Sequence, residues 1–100
     1  MNNFRTYTNA VEFYKLCKTI CLPYHLREQL NRASSSIALN LAEGRGRSSK
    51  KDQLRFFQIA MGSVRECQGL LTLAELTDTN CYKLLDVVAA QLYLLIKNGG

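Results

Sequence analysis

Proline occurs once in this chain, at Pro23, and histidine once, at His25. So little proline leaves room for long helices and argues against many short, turn-bounded strands. A single imidazole removes most nucleophile–base arrangements: His25 is the one candidate base, and no nucleophile elbow accompanies it. No Glu-x-x-His pair suggests a di-iron bundle, and no dense carboxylate cluster suggests a magnesium site. Glu75 and Asp78 are an isolated pair of acids near a helix end. No catalytic residue and no cofactor are therefore assigned, and the chain reads as a non-enzyme.

Long apolar runs are also missing. The strongest, from Val87 to Ile96, is interrupted by Gln91 and is far too short to span a bilayer. The first 20 residues lack a basic start followed by an apolar block, so no signal peptide is expected. Both absences place the chain in the cytoplasm by expectation. In that setting Cys17, Cys21, Cys67 and Cys81 read as buried thiols rather than as a disulfide framework. Cys17, Cys21 and His25 share an i, i+4, i+8 spacing, but Pro23 interrupts the helix that would align them and the set supplies only three ligands. No metal is assigned.

What remains is apolar and basic. Apolar residues make up 47% of the 100, enough for one core, and the expectation is a single domain over residues 1–100. Thirteen basic residues face eight acidic ones. Residues 1–68 hold 11 of the basic and 5 of the acidic groups, whereas residues 69–100 hold 2 and 3. A one-sided excess of this kind suits an anionic partner, although a surplus of this size also occurs in proteins that bind nothing acidic.

Periodicity predicts four helices. The first is expected from Asn9, as a capping residue with Glu12 as its capping-box partner, to about Cys21, with Phe13, Leu16, Cys17 and Ile20 on one face. The second is expected from Tyr24 to Glu43, with Leu26, Leu30, Ala33, Ile37 and Leu41 inward and Gly44 in a left-handed C-terminal turn. After the loop Gly44-Arg-Gly-Arg-Ser-Ser, Ser48 or Ser49 is placed to cap a third helix from Lys50 to Leu76, with Asp52 completing an acidic variant of the capping box. Thr77 to Asn80 is a polar turn. The fourth helix is expected from Cys81 to Lys97, with Cys81, Leu85, Val88, Leu92 and Leu95 inward, before a terminal Asn98-Gly-Gly. Short connections between four helices imply an all-α, antiparallel, up-down four-helix bundle.

The third helix carries two stripes at coiled-coil spacing: Phe57, Ala60, Val64, Cys67, Leu71, Ala74, and one residue earlier Phe56, Ile59, Ser63, Glu66, Leu70, Leu73. A helix on the surface of a monomer needs one apolar face, so the second stripe, and Phe56, Ile59, Ser63, Leu70 and Leu73 in particular, is assigned to a homo-oligomer interface. The second helix has a polar stripe of Gln29, Arg32, Ser36, Asn40 and Glu43. A hairpin turning near residue 49 sets Arg32 against Glu66, Ser36 against Ser63 and Glu43 near Phe56. An Arg32–Glu66 ion pair is the expectation, with two separate surface charges as the alternative. Gly62 and Gly69, a heptad apart within the helix, either admit another backbone closely or are a tolerated weakness on an open face.

The run from Gln29 to Gly44, then Arg47, then Phe56-Phe-Gln-Ile-Ala-Met-Gly-Ser63 and Glu66, resembles the four-helix-bundle family of intervening-sequence proteins, named for being encoded in insertions within bacterial large-subunit ribosomal RNA genes. The resemblance covers residues 23–76. It implies a cytoplasmic bacterial bundle that assembles as a ring-like homo-oligomer, a pentamer, with no established enzymatic activity. A related branch, the accessory proteins of diversity-generating retroelements, acts beside a reverse transcriptase and its RNA. This chain is closer to the first branch, which argues against a reverse-transcriptase partner.

The basic segment Arg45, Arg47, Lys50, Lys51 and Arg55, with Asp52 the one acid between Gly44 and Arg55, is the candidate binding site. It coincides with the start of the third helix, whose free N–H groups favour anions. Repeated around a ring, it would hold RNA or DNA backbone through several weak contacts. No aromatic residues interleave with these cations, so base stacking is not expected there. Gly44-Arg-Gly-Arg is no nucleotide fingerprint, because no strand precedes it. The competing reading is a structural or protein-interaction module whose charged loop is merely solvated.

Overall fold

A computed structural model describes residues 3–99, so Gly100 of the terminal Asn98-Gly-Gly lies outside them. Four helices account for most of this length: α1 (Asn3–Cys17), α2 (Tyr24–Arg45), α3 (Lys50–Leu73) and α4 (Asn80–Lys97). No strand occurs among the described residues. The helices form a four-cornered, all-α bundle in which α1 and α3 each pack against both α2 and α4. It is elongated, at 40 × 21 × 18 Å. No helix among the described residues is long and apolar enough to cross a membrane.

The core follows the predicted stripes closely. Leu30, Ala33, Ile37 and Leu41 of α2 are buried, as are Phe57, Ala60, Val64, Cys67 and Leu71 of α3 and Cys81, Leu85, Val88, Leu92 and Leu95 of α4. Each helix hides a stripe at spacing three and four, and closing four such stripes around one axis removes them together from water.

Helix ends differ more. α1 begins at least six residues before Asn9, and its buried stripe runs Thr6, Ala10, Phe13, Cys17. Asn9 is not a cap: it sits inside the helix and its Nδ2 donates to Oε1 of Gln91 in α4 at 3.1 Å. A polar residue at the head of the stripe, Thr6, concealed this continuation. The helix stops at Cys17 rather than Cys21, unwinding through i→i−3 bonds from the amides of Lys18, Thr19 and Ile20. Cys17 is therefore buried while Cys21 is exposed beyond the helix, and the spacing shared with His25 has no geometric meaning.

Gly44 is likewise not a left-handed terminator. α2 continues to Arg45 and caps at Gly46 with a right-handed backbone. Gly44 is buried in the last turn because the Phe57 ring lies against it: a Cβ there would be 2.7 Å from Phe57 Cε1 and 3.2 Å from Phe56 Cβ. α3 stops at Leu73, three residues before the expected end. The Leu76 amide donates to the Leu71 carbonyl at 2.8 Å and the Glu75 amide to that of Thr72 at 3.0 Å, while Glu75 takes φ +58°. That is a Schellman closure with glutamate in the position glycine usually occupies. α4 is capped by Thr79, whose Oγ1 accepts from the Tyr82 amide at 3.2 Å.

Candidate functional site

The loop between α2 and α3 is built from its own polar groups. Ser49 caps α3, its Oγ accepting from the Asp52 amide at 3.1 Å, as the sequence predicts. Gln53 Nε2 reaches back to donate to the Arg47 carbonyl at 3.1 Å, tying the loop to the first turn of the helix. Arg47 is the residue most occupied with local structure. It makes the one ion pair among the described residues, to Glu43 Oε2 at 2.8 Å, and its guanidinium lies 4.7 Å from the centre of the Phe56 ring. Its Nε is buried without a hydrogen-bond acceptor, and the ring face is the electron-rich surface it has nearby.

The other four candidate cations are exposed. Arg55 also lies over Phe56, at 4.5 Å, and Arg45 lies over the ring of Phe4, at 5.2 Å. The aromatic residues missing from the segment in sequence are thus supplied in space, one of them from α1 about forty positions earlier. Sequence spacing carried no signal for Phe4; its neighbour is chosen by the packing of α1 against α2. Lys51, Asp52, Leu54, Arg55 and Gln58 line an open depression of about 350 Å³ beside the loop.

Lys50 and Lys51 occupy the first two positions of α3. The helix macrodipole disfavours cations there, by ~0.3–1 kcal/mol each. Only Asp52 in that turn has the favoured sign. These two lysines therefore do little for the helix they begin.

The polar stripes of α2 and α3 meet as expected at their centre. Ser63 donates to Ser36 Oγ at 2.8 Å, and Asn40 Nδ2 donates to the same oxygen at 3.0 Å. The expected Arg32–Glu66 ion pair is not formed. Both residues are exposed and line, with Ala33, Ser36 and Ser63, an open groove of about 310 Å³. The register is right but each carboxylate and guanidinium remains hydrated, which for exposed groups costs almost nothing. The second stripe of α3 is divided: Leu70 is buried, Phe56 and Ser63 are half-buried, and Ile59 and Leu73 are 44% and 74% exposed.

Sequence reasoning did not find the layer where all four helices contribute a polarisable or polar atom: Cys17 from α1, Ser34 from α2, Cys67 from α3 and Cys81 from α4, all buried. Cys17 Sγ and Cys81 Sγ are 3.6 Å apart. Hydrogen bonding from Cys17 lowers the Cys81 thiol and, with burial, raises Cys17 far above the ordinary range. Burial, followed by the charges of Glu66 and Cys81, pushes Cys67 up to about 12. No cluster of three or more metal-ligating side chains occurs among the described residues.

An elongated all-α bundle with a basic helix–helix loop at one end is the class these features define. Within it, the chain belongs to the 23S rRNA-intervening sequence protein family, whose model matches residues 5–95. The match spans all four helices, beyond the segment on which the resemblance rested. No curated protein and no solved structure matches the chain.

Proposed function

We propose that this protein is a non-enzymatic, homo-oligomeric bundle of the bacterial cytoplasm that binds RNA or DNA backbone through the loop from Arg45 to Arg55. The observation that carries the reading is the exposure of Lys50 and Lys51 at a helix start, where they oppose the macrodipole and make no ion pair among the described residues. With the N–H groups of the first turn that the Ser49 cap leaves over, they form a surface suited to phosphate oxygens. Arg45 and Arg55 extend that surface, while Arg47 shapes the loop. Contacts at Gly44–Phe57 and Ser36–Ser63, whose numbers fall on one helix as they rise on the other, support an antiparallel up-down arrangement.

Self-association, as the pentameric ring the resemblance implies, is supported by Leu39, Ile59 and Leu73 on α2 and α3, which are 67%, 44% and 74% exposed. Those same side chains favour the second reading, a pure assembly module. The two separate in a salt series with single-stranded and duplex RNA and DNA oligonucleotides. Backbone binding gives a steep loss of affinity with salt, and the slope becomes shallower in a Lys50→Ala/Lys51→Ala variant. No retention of any oligonucleotide at low salt removes the first reading and leaves the assembly module.

A further inference from the structure

Cys17 and Cys81 are the last residue of α1 and the second residue of α4, and their sulfur atoms lie 3.6 Å apart in the buried layer described above. Neither is needed by the basic loop. Cys17 is 2% and Cys81 5% exposed, so both thiols are buried, each at a helix end rather than in mid-helix. We propose that Cys17 and Cys81 form an oxidisable dithiol site that hydrogen peroxide converts to a reversible intramolecular disulfide joining α1 to α4.

Three features of the layer suit this chemistry. The first is distance: a disulfide requires sulfurs about 2.05 Å apart, and both cysteines stand at helix ends, where a small approach disturbs little of the bundle. Beyond Cys17 the chain is held by i→i−3 bonds rather than a continuing helix. The second is proton placement. Either sulfur can donate across the 3.6 Å contact; with Cys17 as the donor, the Cys81 thiolate is favoured by that bond and by the first turn of α4. The third is weak competition from the remaining two thiols. Cys67, the other buried thiol, is held protonated by burial and by the charge of Glu66, and Cys21 is exposed beyond the helix.

The reaction balances without any group from elsewhere except the peroxide and one proton from water. The Cys81 thiolate attacks one peroxide oxygen and the O–O bond breaks. The leaving hydroxide takes up the proton and departs as water, and Cys81 becomes a sulfenic acid. The Cys17 sulfur then attacks the Cys81 sulfur. The S–S bond forms, the S–O bond breaks, and the Cys17 proton leaves with the hydroxide as a second water. Two thiols are oxidised by two electrons and one peroxide is reduced.

The test uses the full chain with Cys21→Ser, which removes the exposed thiol, exposed to hydrogen peroxide under native conditions and then blocked with N-ethylmaleimide. Peptide mapping is expected to show Cys17 linked to Cys81 and Cys67 alkylated. Because the link joins residues 64 apart, the denatured chain should migrate faster without reductant and normally with it. The thermal midpoint should rise on oxidation by something on the order of 10 °C. A further Cys17→Ser or Cys81→Ser change abolishes the fast form, and Cys67→Ser retains it. The proposal is overturned if Cys81 ends as a sulfinate without a link, if Cys67 is the partner, or if all three thiols stay reduced. The mapping on the Cys21→Ser chain decides this even where a second substitution impairs folding.

Discussion

Gly44 shows how a single hydrogen in place of a methyl group sets the spacing of two helices. It lies in the last turn of α2 with the buried Phe57 ring against its α-carbon, and an added Cβ would sit 2.7 Å from that ring. Within a helix, alanine is worth ~1 kcal/mol more than glycine. Overpacking a core ring typically costs ~1–3 kcal/mol. The ring cannot swing away as a flexible chain end could, so the second effect wins. Gly44→Ala is expected to lower stability by up to about 2 kcal/mol, seen as a lower urea midpoint at unchanged slope; a midpoint above that of the parent would show that α2 and α3 have room to separate.

At the scale of elements, the end of α3 carries a conformational cost that can be removed. Glu75 holds a left-handed backbone at φ +58° to complete the Schellman closure, is exposed, and makes no ion pair among the described residues. A side chain in that region costs ~1 kcal/mol relative to glycine. Glu75→Gly should therefore raise the unfolding free energy by ~0.5–1 kcal/mol in a denaturant titration, and a loss would mean that its side chain has a role the backbone does not reveal. The capping of α3 by Ser49 was legible in sequence because serine followed by an acid three residues later has a direct mechanical meaning. The end of α3 was not, because its apolar pattern continues past Leu73 through Ala74 and Leu76, which both pack on the core from outside the helix.

For the whole molecule, the proposed self-association turns on which face of the bundle would meet another copy. Gly62 and Gly69 lie on an exposed face of α3, and among the described residues no atom beyond their chain neighbours and the helix's own nearby backbone lies within 4 Å of where their Cβ atoms would be. Within one chain, Gly62→Ala and Gly69→Ala should each stabilise the helix by ~0.5–1 kcal/mol. Light scattering beside thermal unfolding distinguishes the two meanings of that face. A higher midpoint with unchanged mass identifies open surface, and a reduced mass shows that another subunit's backbone lies against the glycines. The candidate site was half legible at this scale: its cations fall within eleven residues of sequence, but their division into a loop-building Arg47 and exposed Lys50 and Lys51 depends on Glu43 and Phe56, which only folding brings to them.

Sequence alone determined that there are four helices and the inward faces of α2, α3 and α4, because burial at intervals of three and four residues is a property of one helix and can be read along it. It also determined the register at the middle of the α2–α3 hairpin, where the short loop leaves the Ser36–Ser63 pairing little freedom. Tertiary structure decided what depends on a neighbour. It placed Gly44 against Phe57, Asn9 against Gln91, Phe4 under Arg45, and Cys17 beside Cys81. It also left Arg32 and Glu66 in water, because lining the same groove does not by itself pair two exposed charges.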